Sequence, residues 1–264
     1  MLLEADAHLI HYELAGVAEI SRVQIRPIAT PDGVLTPELL RKAVRHPSSI
    51  APKPSAISLE NTHSLAGGKV VPVAVSDGVG EVARELKLPL HLDGSRLWHA
   101  SAFLNVPLER LAKPATTVMV TLSKGLGCPV GSVLAFPVAA KPDVWEIRKR
   151  LGGGMRQSGI LAAAGLYALD HNVDRIGEDH ATAKRLVNAL AGHKGVRALP
   201  TETNIVMLDL LNERDTTDTV IPKLREQGVL CVAMGLKRLR ACTHLDVSPA
   251  DADKAAQVIG EVLA

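Results

Sequence analysis

The chain has 264 residues, 47% hydrophobic and 22% charged, with two each of Trp, Tyr and Phe, so its core must rest on Ala, Val, Leu and Ile. That length suits about two domains or one large α/β domain, and the composition excludes a disordered or collagen-like chain. Thirty Lys and Arg against 28 Asp and Glu leave a net charge of +2, interspersed along the chain, so nothing electrostatic favours a nucleic-acid or anionic-membrane partner.

The cysteines Cys128, Cys231 and Cys242 are an odd count in a chain large enough to need no disulfide staples, which points to a reducing, cytoplasmic compartment. The opening Met1-Leu2-Leu3-Glu4-Ala5-Asp6-Ala7-His8 carries acid where a secretion signal needs base. No apolar run approaches the ~18 residues of a membrane span.

In chain order, the pattern predicts a short strand over residues 23–27, a turn at Pro31-Asp32-Gly33 and a helix opening at Thr36-Pro37-Glu38. From residue 56 onward, strand-like runs that end in polar residues alternate with helical patterns, as in βαβ units around a mostly parallel sheet. The run 56–59 stops at Glu60-Asn61-Thr62-His63, the run 88–92 at Asp93-Gly94-Ser95-Arg96, and the run 117–122 at Ser123-Lys124-Gly125. His63 and Asp93 are 30 residues apart, and Asp93 and Lys124 are 31 apart, one βαβ repeat each. Ligands of open α/β sheets sit outside the carboxyl ends of the strands, so His63, Asp93 and Lys124 are expected along one crevice.

Gly152-Gly153-Gly154 then breaks the chain, and residues 155–190 are Ala- and Leu-rich with helical spacing. The tail reads strand (204–210), helix (219–227), strand (229–233), strand (236–241) and helix (249–263). The expected division is residues 1–150 as a large domain, and residues 151–264 as a long connecting helix with a small α+β domain.

A lysine beside Gly125-Leu126-Gly127 has thin backbone neighbours and can form a Schiff base with an aldehyde. Taken alone, Lys124 reads as a surface lysine at a strand end, and Asp93 as an acid opening a turn. Together they match what pyridoxal phosphate needs, an amine for its aldehyde and a carboxylate for its ring nitrogen. A rival reading takes residues 70–75 as a strand and Gly78-Val79-Gly80-Glu81-Val82-Ala83 as the dinucleotide fingerprint G-x-G-x-x-A. Against it, Asp93 lies only 15 residues from Gly78, where the ribose-binding acid lies about 20 on, and Pro72 interrupts the strand.

His171, Asp174 and Glu178 share a helical face with metal-capable side chains, but Asn172, Arg175, Asp179 and His180 around them read as a solvated charged face. No zinc motif or nucleophile elbow is present.

Several long segments occur in order: Leu59-Glu60-Asn61-Thr62-His63, His91-Leu92-Asp93-Gly94-Ser95-Arg96-Leu97, Leu122-Ser123-Lys124-Gly125-Leu126-Gly127-Cys128-Pro129-Val130-Gly131-Ser132 and Gly152-Gly153-Gly154-Met155-Arg156-Gln157-Ser158-Gly159. They strongly resemble the low-specificity L-threonine aldolases, pyridoxal-phosphate enzymes of fold type I. The resemblance runs from Ala7-His8 to Thr243-His244-Leu245-Asp246-Val247-Ser248. It implies an α/β large domain with a mostly parallel sheet, a smaller C-terminal α+β domain, and a homo-oligomer built as a dimer of dimers.

By the same resemblance, Lys124 is the Schiff-base lysine and Asp93 the partner of the pyridine nitrogen. His8 stacks on the cofactor ring, and His63 lies near the substrate hydroxyl, where it helps the proton transfer. Arg96 and Arg240 lie near cofactor and substrate carboxylate, Ser123 is the phosphate-side serine, and Arg156 belongs to the glycine-rich motif at the boundary between active site and subunits. The implied reaction cleaves a β-hydroxy-α-amino acid, threonine or allo-threonine, to glycine and acetaldehyde.

The resemblance begins at the histidine segment, and the family's earlier Ser-Gly-Thr turn, which holds the cofactor phosphate, has no counterpart in Met1 to Glu19. The expectation is therefore an N-terminally truncated aldolase. The other readings are a catalytically impaired subunit or fragment, and a related β-eliminating lyase or transaminase of the same fold.

Overall fold

The structure is a computed structural model that describes residues 1–45 and 49–264. The chain divides into two compact units, one formed by Met1–Ala66 and Val70–Val173, the other by Gly67–Lys69 and Asp174–Ala264.

The first unit is built on six strands: β1 (Leu2–Glu4), β2 (Arg26–Ile28), β3 (Ile57–Glu60), β4 (Leu90–Gly94), β5 (Thr117–Thr121) and β6 (Ser132–Ala135), in the order β2-β1-β3-β4-β5-β6. The first five run parallel, and β6 returns antiparallel to β5. Parallel strands need crossovers, and helices lie in them here, α3 (Pro37–Ala43) leading into β3 and α4 (Val73–Glu85) leading into β4. Leu2, Ile57, Leu59, Leu90 and Leu92 from the strands, with Leu35, Leu40, Val79 and Val82, form one buried core. Thr36 caps α3 by accepting the Leu39 N–H, and Pro37 follows at its first position.

The strands predicted at 56–59, 88–92 and 117–122 are present as β3, β4 and β5 with ends shifted by one or two residues. The strand predicted at 23–27 begins later, at Arg26. β1 and β6 carry no sequence forecast.

The rival dinucleotide reading fails here, because the residues it takes as the end of a strand and a turn lie inside or just before the single helix α4. Its glycines serve packing. A Cβ on Gly78 would come 2.6 Å from Pro37 Cγ, and one on Gly80 would come 2.6 Å from Pro114 Cβ.

The Ala- and Leu-rich stretch is two helices, α8 (Gly159–His171) and α9 (Ile176–Ala189), after α5 (Leu97–Leu104), α6 (Leu108–Ala112) and α7 (Lys141–Arg150). The expected boundary at 150 moves to 173, because α8 packs on the loop after β5. The Asn172 side chain donates to the Leu126 carbonyl at 2.9 Å, and a Cβ on Gly165 would lie 3.2 Å from Leu122 Cδ1.

The second unit carries an antiparallel sheet ordered β7-β8-β10-β9, from β7 (Val196–Ala198), β8 (Ile205–Leu210), β9 (Val232–Ala233) and β10 (Arg238–Cys242). With α9, α10 (Thr217–Glu226) and α11 (Pro249–Val262) it encloses a core of Leu186, Val206, Leu208, Val220, Leu224, Leu239 and Ile259. Capping boxes at Thr216/Thr219 and Ser248/Asp251 fix where α10 and α11 begin. The α+β pattern of the tail is as predicted, although the strand expected over 229–233 shrinks to two residues.

The charged face expected around His171 is only partly solvated. His171, Asp174 and Glu178 are exposed, whereas Asp179 and His180 are buried. They fall on the inward stripe of α9 with Ile176, Ala183 and Leu186. No cluster of metal-ligating side chains occurs among the described residues, and no described helix is long and apolar enough to cross a membrane.

Candidate active site

Four neighbouring parallel strands, β1, β3, β4 and β5, end at the same edge of the first unit's sheet, and nearly all the residues singled out from the sequence follow those ends. His8 opens α1 (His8–His11) four residues after Glu4; His63 lies three residues past β3; Asp93 is the penultimate residue of β4; Ser123 and Lys124 follow β5.

Asp93 is buried, and one carboxylate oxygen accepts the Ser95 N–H at 3.2 Å. Gly94 is required beside it, since a Cβ there would stand 2.5 Å from the Met119 carbonyl oxygen on β5. Lys124 is exposed on a tight turn in which its own carbonyl accepts the Gly127 N–H at 2.8 Å. Ser123 shares a 3.1 Å hydrogen bond with Thr121, whose hydroxyl also donates to the Gly131 carbonyl. Arg96 precedes α5, half-buried, with Nη1 3.5 Å from the Ser64 hydroxyl.

Two buried carboxylates organise the histidine side of this edge, and the sequence reading passed over both. Glu4 accepts the Thr30 hydroxyl at 2.8 Å, the Asp6 N–H at 2.6 Å and His63 Nε2 at 2.8 Å. Glu60 accepts the backbone N–H of His8 at 2.7 Å and that of Ser64 at 2.8 Å.

Burial alone would raise the Glu4 pKa, but the hydrogen bonds from His63, Thr30 and Asp6 outweigh it and hold the carboxyl below its ordinary value. Burial would likewise lower His63, yet the Glu4 hydrogen bond and the charges of Glu60, Glu4 and Asp6 leave it above the usual imidazole value. His63 is 1% exposed and uses both ring nitrogens, since Nδ1 accepts the Ala66 N–H at 3.2 Å. His8 differs: it is about one-third exposed, with Nδ1 2.7 Å from Glu13 Oε1 and its ring 4.9 Å from that of Tyr12.

Two predicted site residues are not on this edge. Arg156 is exposed in the turn before α8, remote in sequence from the strand ends. Arg240 lies on β10 of the second unit, opposite Met207 on β8 and Val232 on β9.

The donor set suits pyridoxal phosphate, because a buried carboxylate at the end of β4 and an amine just past the end of its hydrogen-bonded neighbour β5 belong to one edge.

Comparison with known proteins agrees. A family model described as beta-eliminating lyase matches residues 1–213. The chain is 37% identical over 257 residues to low-specificity L-threonine aldolase 1 of Arabidopsis thaliana, covering 95% of this chain and 72% of that protein. It is 36% identical over 243 residues to the low specificity L-threonine aldolase of Escherichia coli K12, covering 92% and 71%.

Among solved structures, the threonine aldolase of Leishmania major superposes with a TM-score of 0.80 at 19% identity, covering all of this chain and 77% of that one. A mutant aspartate aminotransferase of Thermus thermophilus superposes with a TM-score of 0.71 at 17% identity, covering 99% and 73%. These likenesses give the fold as type I of the pyridoxal-phosphate enzymes. With the sequence identities beside them, the chain belongs to the beta-eliminating lyase family and, within it, to the low-specificity L-threonine aldolases.

Proposed function

We propose that this chain is a pyridoxal-phosphate-dependent aldehyde lyase that cleaves L-threonine and L-allo-threonine to glycine and acetaldehyde, in threonine catabolism and glycine formation. The observation that carries the reading is Asp93 at the end of β4 with Lys124 just past the end of the adjacent parallel strand β5, within a chain about 37% identical to a low-specificity L-threonine aldolase. When bound, the cofactor supplies an aldehyde for an amine and a protonated ring that draws off the electrons of the Cα–Cβ bond.

The chain's own groups do the rest. Lys124 would hold the aldehyde, and Asp93, shielded from water, would keep the pyridine nitrogen protonated. His8 presents a ring for stacking, braced through Nδ1 by Glu13. Ser123 would serve the phosphate, and Arg156, which lies off the strand-end edge, would reach a cofactor site at a boundary between subunits. Arg96 and Arg240 offer forked donors to carboxylates. The substrate's β-hydroxyl proton passes to a base, and His63, directly or through water, is assigned to that transfer.

A cytoplasmic homo-oligomer, a dimer of dimers, completes the proposal. The exposed apolar side chains of Trp145, Ile147, Ile160, Leu166 and Tyr167 support contact between copies, while the dimer-of-dimers arrangement and the compartment rest on the family resemblance and the cysteine count.

The experiment is a pyridoxal-phosphate titration of the purified chain, followed by visible absorption, with Lys124→Ala as control and acetaldehyde release from allo-threonine as the second readout. A saturable band that the variant lacks, with acetaldehyde formed, supports the reading. No band, or the same band in Lys124→Ala, overturns it in favour of a catalytically impaired relative.

A further inference from the structure

We infer that Glu4 is a positioning residue for His63, fixing which ring nitrogen carries the proton and so which one can accept another. The inference deepens the proposed aldol cleavage and rests on it for its catalytic meaning.

The geometry leaves little freedom. Glu4 Oε2 stands 2.8 Å from His63 Nε2, and both side chains are buried, at 6% and 1% exposure. Glu4 cannot swing away easily, because its other contacts tie it to the Thr30 hydroxyl and the Asp6 N–H. A carboxylate accepts and never donates, so Nε2 must carry the hydrogen. On the far side, Nδ1 faces the Ala66 N–H at 3.2 Å, a donor that requires a lone pair there.

The two contacts therefore agree on the Nε2–H tautomer, and Nδ1 is the basic nitrogen. Gly33 backs this ring closely: a Cβ there would lie 3.2 Å from His63 Cγ and 3.3 Å from Nδ1. A side chain at position 33 would press on the ring.

Such an arrangement has a chemical consequence beyond packing. A carboxylate bonded to one nitrogen of an imidazole stabilises the cation formed when the other nitrogen takes a proton. The acids facing His63 are Glu4 from the end of β1, Asp6 beyond it and Glu60 from the end of β3. Of these, Glu4 makes the direct bond. Taking up the β-hydroxyl proton at Nδ1 requires that nitrogen to give up the Ala66 N–H.

The first test needs no variant and no cofactor: two-bond proton–nitrogen NMR correlation of the His63 ring in the wild-type chain. The expected result is a proton on Nε2 and a lone pair on Nδ1, and the opposite tautomer overturns the inference. In Glu4→Gln the His63 titration midpoint is expected to fall, and an unmoved midpoint is the second overturning result.

In the loaded enzyme, Glu4→Gln is expected to lower kcat at neutral pH by about tenfold or more with KM little changed. The acidic limb of its kcat profile moves to lower pH, and Glu4→Asp recovers part of the loss. A merely structural Glu4 would lower the amount of folded enzyme and leave that limb in place. If the wild-type chain cleaves no β-hydroxy-amino acid, the proposed function falls, while the ring-nitrogen measurement still decides the Glu4–His63 relation.

Discussion

Glu60 on β3 accepts the backbone N–H of His8, 52 residues earlier in the chain, at 2.7 Å, while Glu4 on β1 holds the side chain of His63 beyond β3. Each strand's last residue thus binds the segment that leaves the other strand. Glu60→Ala leaves the amides of His8 and Ser64 without their buried acceptor and should cost on the order of 3 kcal/mol. Urea unfolding checks it, with Glu60→Gln, which keeps one acceptor oxygen but turns an NH2 donor toward the other amide, recovering only part of the loss. Equal losses for the two variants would show that the acceptor is not what matters.

Asp93→Asn keeps the shape of the buried side chain and the bond to the Ser95 N–H but removes the charge. Cleavage of allo-threonine should fall by ~10²-fold, the scale of removing one preorganised electrostatic group, while the protein still binds pyridoxal phosphate through Lys124. Acetaldehyde release beside the visible absorption of the same sample separates the two. Undiminished turnover would remove Asp93 from its assigned role.

Gly33 sits at φ +82°, and a Cβ would lie 2.5 Å from that of Ala66. Gly33→Ala should therefore destabilise by about 1–3 kcal/mol through backbone strain and displacement of the 63–66 turn. The His63 ring resonances should shift with it. A stable variant with an unshifted ring would contradict this packing.

In the second unit, burial first and then neighbouring Glu178 push the Asp179 carboxyl up to about 7, against the opposing pull of Arg175. Burial, with Lys184, pulls His180 down to about 4. Folded Asp179 binds more protons than the unfolded chain between 3.8 and about 7, so its contribution to stability falls as pH rises through that window. Folded His180 binds fewer between about 4 and 6.5, so its contribution rises with pH. The slopes, each at most ~1.4 kcal/mol per pH unit, oppose one another. His180→Asn should lose stability from about pH 4 to 7, Asp179→Asn should gain it from about pH 4 to 6.5, and the wild type should be flatter than either. Urea midpoints across that range decide it.

The sequence carried the three strand ends that matter because each apolar run stops abruptly at a polar motif, as Leu92 does at Asp93-Gly94. The three-residue strand β1 gave no such signal, and without it the partners of Glu4 and Glu60 were out of reach. A carboxylate at a strand end becomes an acceptor for a distant histidine only once the two strands lie side by side. At Gly78 and Gly80 the short distance to Asp93 and the proline at 72 already argued against a dinucleotide site, but spacing could not show that α4 needs thin residues there against Pro37 and Pro114. The burial of Asp179 and His180 was recoverable, because they stand three and four positions after Ile176, with Ala183 and Leu186 following on the same stripe. Composition outweighed period there.

The four residues of β6 are all exposed, and β6 is a rim strand of its sheet, with β5 on its inner side. An outward row of backbone donors and acceptors, flanked by Val133 and Leu134, is a template on which another extended segment can grow. Concentrated solutions of the isolated chain should therefore thicken or cloud by edge-on strand addition. A charge at Leu134, as in Leu134→Lys, is the simplest change to keep them clear.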